Sequence, residues 1–160
     1  MLLLSCSLLY HQDMDKITLK PIGYVKSPVK ATPKPEYDWR SIISEIVLEP
    51  GLAAGLEGLD KYSHVIVIYY AHKAANPADM SHSVRYKGNP GYPIVGVFAS
   101  RSPYRPNPLG QKLARLLEVK GNTVRVEGLD ALDGTPVLDI KPFIPGYDSA
   151  EGAVSPSWES

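Results

Sequence analysis

Apolar positions in this chain fall into short clusters rich in β-branched residues, not into a long helical stripe. Ile17–Val25 (ITLKPIGYV) reads as a first strand, and Pro21, which has no N–H to donate, marks an edge or a bulge in it. The next stretch, KSPVKATPKPEYDWR, is rich in proline and lysine and predicts an extended loop. Ser41–Leu48 (SIISEIVL) is β-branched and predicts a strand. In EPGLAAGLEGLDKY the leucine and glycine rhythm is too broken for a long helix and predicts one or two turns. Ser63–His72 (SHVIVIYYAH) is the strongest strand signal, a continuous apolar run expected to be buried on both faces. Lys73–Tyr92 shows no apolar period and predicts a long loop or lid, followed by a strand in PIVGVFAS. LARLLEVKGNTVRVEGL reads as a hairpin: Val124 and Val126 alternate with Arg125 and Glu127, and Lys-Gly-Asn supplies the turn. In its first half Leu113, Leu116 and Leu117 also fit a helical face ending at Gly121; strand is preferred because the turn leads directly into one. Thr135–Phe143 (TPVLDIKPF) predicts a last strand, and the tail from Ile144 is polar.

No internal repeat is visible, and strands do not alternate with long helices. The expected fold is mostly β, a small antiparallel barrel with short helical turns and long loops. Residues 1–15 read as an N-terminal extension, 16–145 as the barrel domain and 146–160 as a polar tail. The leucines of MLLLSCSLLYHQDMDK resemble a short signal peptide, but the positive first region and the small-residue cleavage site are missing. Met14 stands just before the first strand, so an upstream extension from a mis-called start is favoured over secretion.

Charge and cysteine content narrow the functional classes. Lysine plus arginine and aspartate plus glutamate each number 17, so the net charge is zero. That counts against strong non-specific nucleic-acid binding while leaving room for a local basic patch. The single cysteine, Cys6, gives neither a disulfide framework nor a multi-cysteine metal site, and a cytoplasmic protein is expected. The histidines, His11, His64, His72 and His82, lack metal-ligand spacing, so no metal is expected. No G-x-G-x-x-G follows a strand, no phosphate-binding glycine loop is present, and no apolar run nears the roughly 20 residues of a membrane span.

The most unusual stretch is GVFASRSPYRPNPLG. Each proline fixes its own φ and restricts the residue before it, here Ser102, Arg105 and Asn107. Such a segment loses less entropy than an ordinary loop when it orders around a ligand. Arg101 and Arg105 on this frame suit a carboxylate, a phosphate or a base; a rigid surface loop with locally paired arginines is the plainer alternative. Asn107 has both a donor and an acceptor for an adenine edge, or it closes a turn after Pro106. Asp130–Pro136 (DALDGTP) is a turn on its chemistry alone.

GVFASRSPYRPN resembles the signature of the TrmO/TsaA-like family of S-adenosylmethionine-dependent tRNA methyltransferases. PIGYVKSP resembles the family's opening strand, GLEGLDKYSHVIVIYYAHK its central strand with a following His-Lys, and GLDALDGTPVLDIKPF its second long motif. These motifs run in order from Pro21 to Phe143. The resemblance implies a small β-barrel, a homodimer with S-adenosyl-L-methionine in a cleft near the dimer interface, and a tRNA substrate. The implied reaction is methylation of N6 of threonylcarbamoyladenosine beside the anticodon. Where family members often carry a Pro-Arg-Gln-like element, this chain has KPEYDWRS, with Arg40 as the substitute.

On this reading His72, Lys73, Arg101, Arg105, Asn107, Asp130, Leu132, Asp133, Gly134 and Thr135 are expected at the methyl donor. The acceptor nitrogen is urea-like, with a delocalised lone pair, so its proton must be removed; Asp133, Asp139 and His72 are the candidate bases. Arg85, Tyr86 and Lys87 place cations beside an aromatic, a pattern that holds single-stranded RNA, although a solvated loop explains it equally well. Two other functions fit the residues: a non-catalytic RNA-binding module, and a methyltransferase of the same fold with another substrate.

Overall fold

Val25, Ile46, Val65, Val67, Val124, Val126 and Val137 are each at most 1% exposed, and each occupies the inward phase of a strand. Side chains on a strand alternate between faces, so these positions converge when the sheet curls. The computed structural model describes residues 17–33, 37–74, 78, 80–85 and 88–159. The N-terminal extension and the Tyr86–Lys87 pair therefore lie outside the described residues.

Among the described residues, six strands close into a barrel in the order β1-β2-β7-β6-β3-β8. They are β1 (Gly23–Lys26), β2 (Ile43–Leu48), β3 (His64–Tyr70), β6 (Leu109–Lys120), β7 (Thr123–Glu127) and β8 (Pro136–Pro142). All neighbouring pairs are antiparallel. A second sheet pairs β4 (Ser83–Arg85) with β5 (Ile94–Gly96) outside the barrel. Closure removes the free strand edges of the main sheet. Strand β6 is long enough to serve two neighbours: Leu109–Arg115 pairs with β3, and Arg115–Lys120 pairs with β7 after a register shift between Leu116 and Glu118. The extra residue there bends the strand around the barrel. The helical alternative for Leu113–Leu117 is thus displaced by strand pairing on both sides.

The structure corrects several expected boundaries. The first strand begins at Gly23, not Ile17; Pro21 interrupts the ladder, and Ile17 and Leu19 lie exposed. The central strand is buried on one face only. Val65 and Val67 point inward, while Ile66, Ile68 and Tyr70 face outward and are half-buried, as a barrel wall requires. The expected loop Lys73–Tyr92 contains β4, and the expected strand PIVGVFAS shrinks to Ile94–Gly96 followed by a 3-10 turn, Val97–Ala99. Pro50–Leu56 and Leu59–Lys61 form the expected turns. After β8 the chain makes a single helical turn, α1 (Pro145–Asp148). No helix among the described residues is long and apolar enough to cross a membrane.

The two ends of the barrel differ. Where β1 and β3 begin and β8 ends, a cavity of about 520 Å³ is lined by Ile22, Leu48, Leu56, Leu59, Tyr62 and Asp139 among others. Where β1 and β3 end and β8 begins, polar groups gather into the mouth described next.

Candidate functional site at the barrel mouth

The floor of the mouth is set by one inward position. Tyr69 continues the Val65, Val67 phase, and its register partner on β6 is Gly110. The Tyr69 ring fills the space that a side chain at 110 would need. Its hydroxyl reaches the chain that follows β7 and donates to the Asp130 carboxylate at 3.0 Å and to the Asp130 carbonyl at 3.3 Å. Lys112, inward on β6, approaches the other Asp130 oxygen at 3.6 Å. Burial, then the Asp130 charge and hydrogen bond, push the Tyr69 phenol far above its ordinary range, so it stays protonated and acts only as a donor to the carboxylate.

The Asp130–Thr135 segment wraps over this floor. Leu129 and Ala131 are buried and anchor it. The Thr135 N–H donates to the Leu132 carbonyl at 3.1 Å, closing a turn in which Gly134 takes φ 75°, a conformation that glycine adopts without strain. The turn is stitched to β1 and the chain after it. Val25 N–H donates to the Thr135 carbonyl at 2.9 Å, Gly134 N–H to Val25 at 2.8 Å and Asp133 N–H to Val29 at 2.8 Å. The Asp133 carboxylate is committed to the same seam: it accepts the Ser27 N–H at 3.0 Å and pairs with Lys30 Nζ at 2.6 Å. The Lys30 hydrogen bond, helped by Ser27, holds Asp133 below the usual carboxylate range. It is a latch with both oxygens engaged and a poor proton acceptor.

The arginine–proline segment closes one side. Ala71 N–H, just past β3, donates to the Pro108 carbonyl at 2.7 Å, so the segment returns to the barrel where the chain left it. Arg105 leans back on the Val97 carbonyl at 3.4 Å, with its guanidinium carbon 6.0 Å from the Phe98 ring centre. Asn107 closes a tight turn through its own carbonyl, which accepts the Leu109 N–H at 2.7 Å. Arg101 has no hydrogen-bond or ion-pair partner among the described residues, and its positive charge is felt at Tyr69, where it opposes the upward shift of the phenol.

His72 and Lys73 sit in a 3-10 turn directly after β3, at the same rim. Burial first, and Lys73 second, lower the His72 pKa below its ordinary value of 6.5. Its imidazole is neutral at pH 7. Asp139 is not brought to this mouth: it lines the cavity at the opposite end and is paired with Lys141 at 2.6 Å. Arg85 turns inward on its own hairpin, donating to the carbonyls of Pro90 (3.4 Å) and Tyr92 (3.0 Å). Arg40 Nε donates to Asp38 at 3.0 Å, and its backbone lies 3.5 Å from where a side chain at Gly128 would project. Among the described residues no group of three or more His, Cys, Asp and Glu side chains is arranged to hold a metal.

Tyr69 and Lys112 join this candidate site without a signal of their own in the linear sequence pattern. In the linear pattern Tyr69 is one more apolar residue of a strand, and Lys112 one polar residue beside Leu113. The available signal was Gly110, a glycine entering a strand opposite an aromatic, but reading it requires the β3–β6 register.

The mouth suits a small zwitterionic donor of the S-adenosylmethionine type. It offers an arginine with no partner among the described residues for a carboxylate, a carboxylate on Asp130 for a cationic or hydroxyl group, and a neutral imidazole. At Gly134 nothing lies within 4 Å of where a side chain would project, so a ligand can rest against the backbone.

Comparison with known proteins identifies the family. Residues 24–149 match the model of the tRNA-methyltransferase O N-terminal domain. An S-adenosyl-L-methionine-binding protein of Archaeoglobus fulgidus is 40% identical over 132 residues, covering 81% of this chain and 91% of that protein. The human tRNA (adenine(37)-N6)-methyltransferase is 40% identical over 104 residues, 63% of this chain and 22% of that enzyme. The crystal structure of TrmO from Pseudomonas aeruginosa superposes with a TM-score of 0.70 at 30% identity, covering 87% of this chain and 61% of that one. With the family model matching residues 24–149 and a TrmO crystal structure superposing on the same barrel, the chain belongs to the tRNA-methyltransferase O N-terminal domain family.

Proposed function

We propose that this chain is a methyltransferase that takes S-adenosyl-L-methionine as donor and methylates N6 of threonylcarbamoyladenosine beside the tRNA anticodon. The observation that carries the reading is the convergence at one barrel mouth of Tyr69–Asp130, the Asp130–Thr135 turn, Arg101 and His72. The names of the relatives support donor and substrate alike: one is an S-adenosyl-L-methionine-binding protein, another a tRNA (adenine(37)-N6)-methyltransferase.

The donor supplies an electrophilic methyl on a sulfonium; the protein's part is positioning and proton handling. Arg101 binds the carboxylate end. Asp130, oriented by the Tyr69 hydroxyl and Lys112, offers an acceptor to the donor's polar groups. Gly134 lets the ligand lie against the turn. The acceptor nitrogen must shed its proton, and the neutral His72 imidazole takes it at a ring nitrogen. Asp133 cannot, because both its oxygens are engaged.

The working unit in this proposal is a homodimer. Outward Ile66, Ile68 and Tyr70 on β3 stand beside Leu109 (41% exposed) and Leu113 (44% exposed) on β6, an apolar face on a single chain.

Calorimetry with S-adenosyl-L-methionine, followed by transfer of labelled methyl to tRNA with and without the threonylcarbamoyl group, tests the reading. Donor binding and transfer only to the modified tRNA are expected. Absence of donor binding would leave the non-catalytic RNA-binding module. Transfer indifferent to the threonylcarbamoyl group would move the chain to another substrate.

A further inference from the structure

Phe98 stands on the Val97–Ala99 turn with 79% of its surface exposed. Burying a phenylalanine stabilises a fold, and the chain forgoes that here. The turn itself is firmly held. Val97 beneath it is buried, and its N–H donates to the His82 carbonyl at 3.0 Å. Its carbonyl receives the Ser100 N–H at 3.2 Å, the Ser100 hydroxyl at 2.8 Å and the Arg105 guanidinium at 3.4 Å. The ring is therefore displayed on a preset frame, with a guanidinium beside it.

The charge around it is one-sided. Between Asp79 and Glu118 the chain has no carboxylate, yet it carries Arg85, Lys87, Arg101, Arg105, Lys112 and Arg115, within a protein of zero net charge. Lys112 is taken by Asp130 and Arg115 by Glu127, and Arg85 holds its own hairpin. Arg101 and Arg105, the two nearest Phe98 in sequence, are left without a carboxylate among the described residues.

We propose that Phe98 is a stacking platform for an unpaired base of the substrate RNA, with Arg105 receiving the phosphate beside that base. This rests on the tRNA reading above and gives it a contact point. An aromatic face accepts any base, and neighbouring cations neutralise the backbone. A second copy of the chain is the less fitting occupant, because it would bring the same uncompensated cations against these.

The test measures the anisotropy of labelled tRNA with the full chain, alongside donor calorimetry and thermal melting. Phe98→Ala and Phe98→Leu are expected to weaken tRNA binding by about tenfold or more, the loss of one base stack, while Phe98→Trp restores it. Donor affinity and melting temperature stay at wild-type values in all three, since the ring is exposed. Tyr147→Ala, which removes an aromatic 85% exposed outside the cationic stretch, leaves tRNA affinity intact. Unchanged tRNA affinity in Phe98→Ala overturns the platform alone, as does wild-type affinity in Phe98→Leu or an equal loss in Tyr147→Ala. A change in particle mass with Phe98→Ala reassigns the ring to a contact between copies and also overturns it. Wild-type protein that binds the donor but no tRNA removes the substrate reading and the platform together.

Discussion

The Tyr69 ring occupies the place where Gly110 would carry a side chain, and this cross-strand fit lets the Tyr69 hydroxyl reach Asp130. Gly110→Ala should therefore cost stability and function together. Overpacking of this kind costs about 1–3 kcal/mol, which for a domain of this size lowers the melting temperature by several degrees. Donor affinity should fall as Asp130 loses its orienting hydroxyl. A variant that melts and binds as wild type would show that Tyr69 has another rotamer to use.

Arg101→Ala should separate the two properties. Its side chain has no hydrogen-bond or ion-pair partner among the described residues, so the melting temperature should hardly move, as for most exposed substitutions. Loss of a charged hydrogen bond to a ligand carboxylate costs about 1.5–3 kcal/mol, or roughly 10- to 150-fold in donor affinity. Calorimetry on a variant with an unchanged melting curve reads the difference. Unchanged donor affinity would release Arg101 for RNA contact instead.

The acid limb of activity should lie below the ordinary imidazole range. Burial lowers the His72 pKa, so the folded protein favours the neutral ring. Its stabilising contribution is complete above pH 6.5 and is lost as pH falls through the lowered folded value. Activity that needs the neutral ring follows the same direction, with a midpoint below 6.5. The Asp133 latch, also lowered, is intact above 3.8 and gives way only under stronger acid. Single-turnover rates from pH 4.5 to 8, with His72→Ala for comparison, check this. A wild-type midpoint at or above 6.5, or an acid limb that His72→Ala retains, would point to a different base.

Leu113→Glu should abolish self-association. Leu113 lies outward in register with Ile66, at the centre of the apolar β3–β6 face, so a charge there sets two carboxylates against each other in a two-fold pair. Light scattering is expected to show a dimer for the wild type and a monomer for the variant, with an unchanged melting curve. A dimer in both would place the contact elsewhere.

Where one kind of physics dominated, the sequence was readable. The valine and isoleucine runs of β3 and β7 belong in strands because inward burial and β-branching agree. Gly121, with φ 59°, turns β6 into β7 where Lys-Gly-Asn predicted it. Strand β4 escaped because Ser83–Arg85 is three residues long and shows no apolar alternation. Of the site, the arginine–proline frame and the Asp130–Thr135 turn were visible because proline and glycine constrain the backbone locally. The partners of Asp133 were not, since Ser27 and Lys30 lie more than a hundred positions away and meet it only when β1 and β8 pair. Asp139 shows the reverse: an acidic residue in the same motif, in register with Ile68 and paired with Lys141.

The hydrogen bond between Ala71 and Pro108 has a consequence for how this scaffold diversifies. The described residues between them, including the β4–β5 hairpin, Phe98, Arg101 and Arg105, form one excursion whose two ends meet at that bond. The closure penalty of such an excursion grows only slowly with its length. The β4–β5 hairpin can thus be lengthened or shortened while the barrel, the Asp130–Thr135 turn, His72 and Arg101 keep their places. Exchanging that hairpin alone would change the surface offered to a partner without disturbing His72, Arg101 or the core.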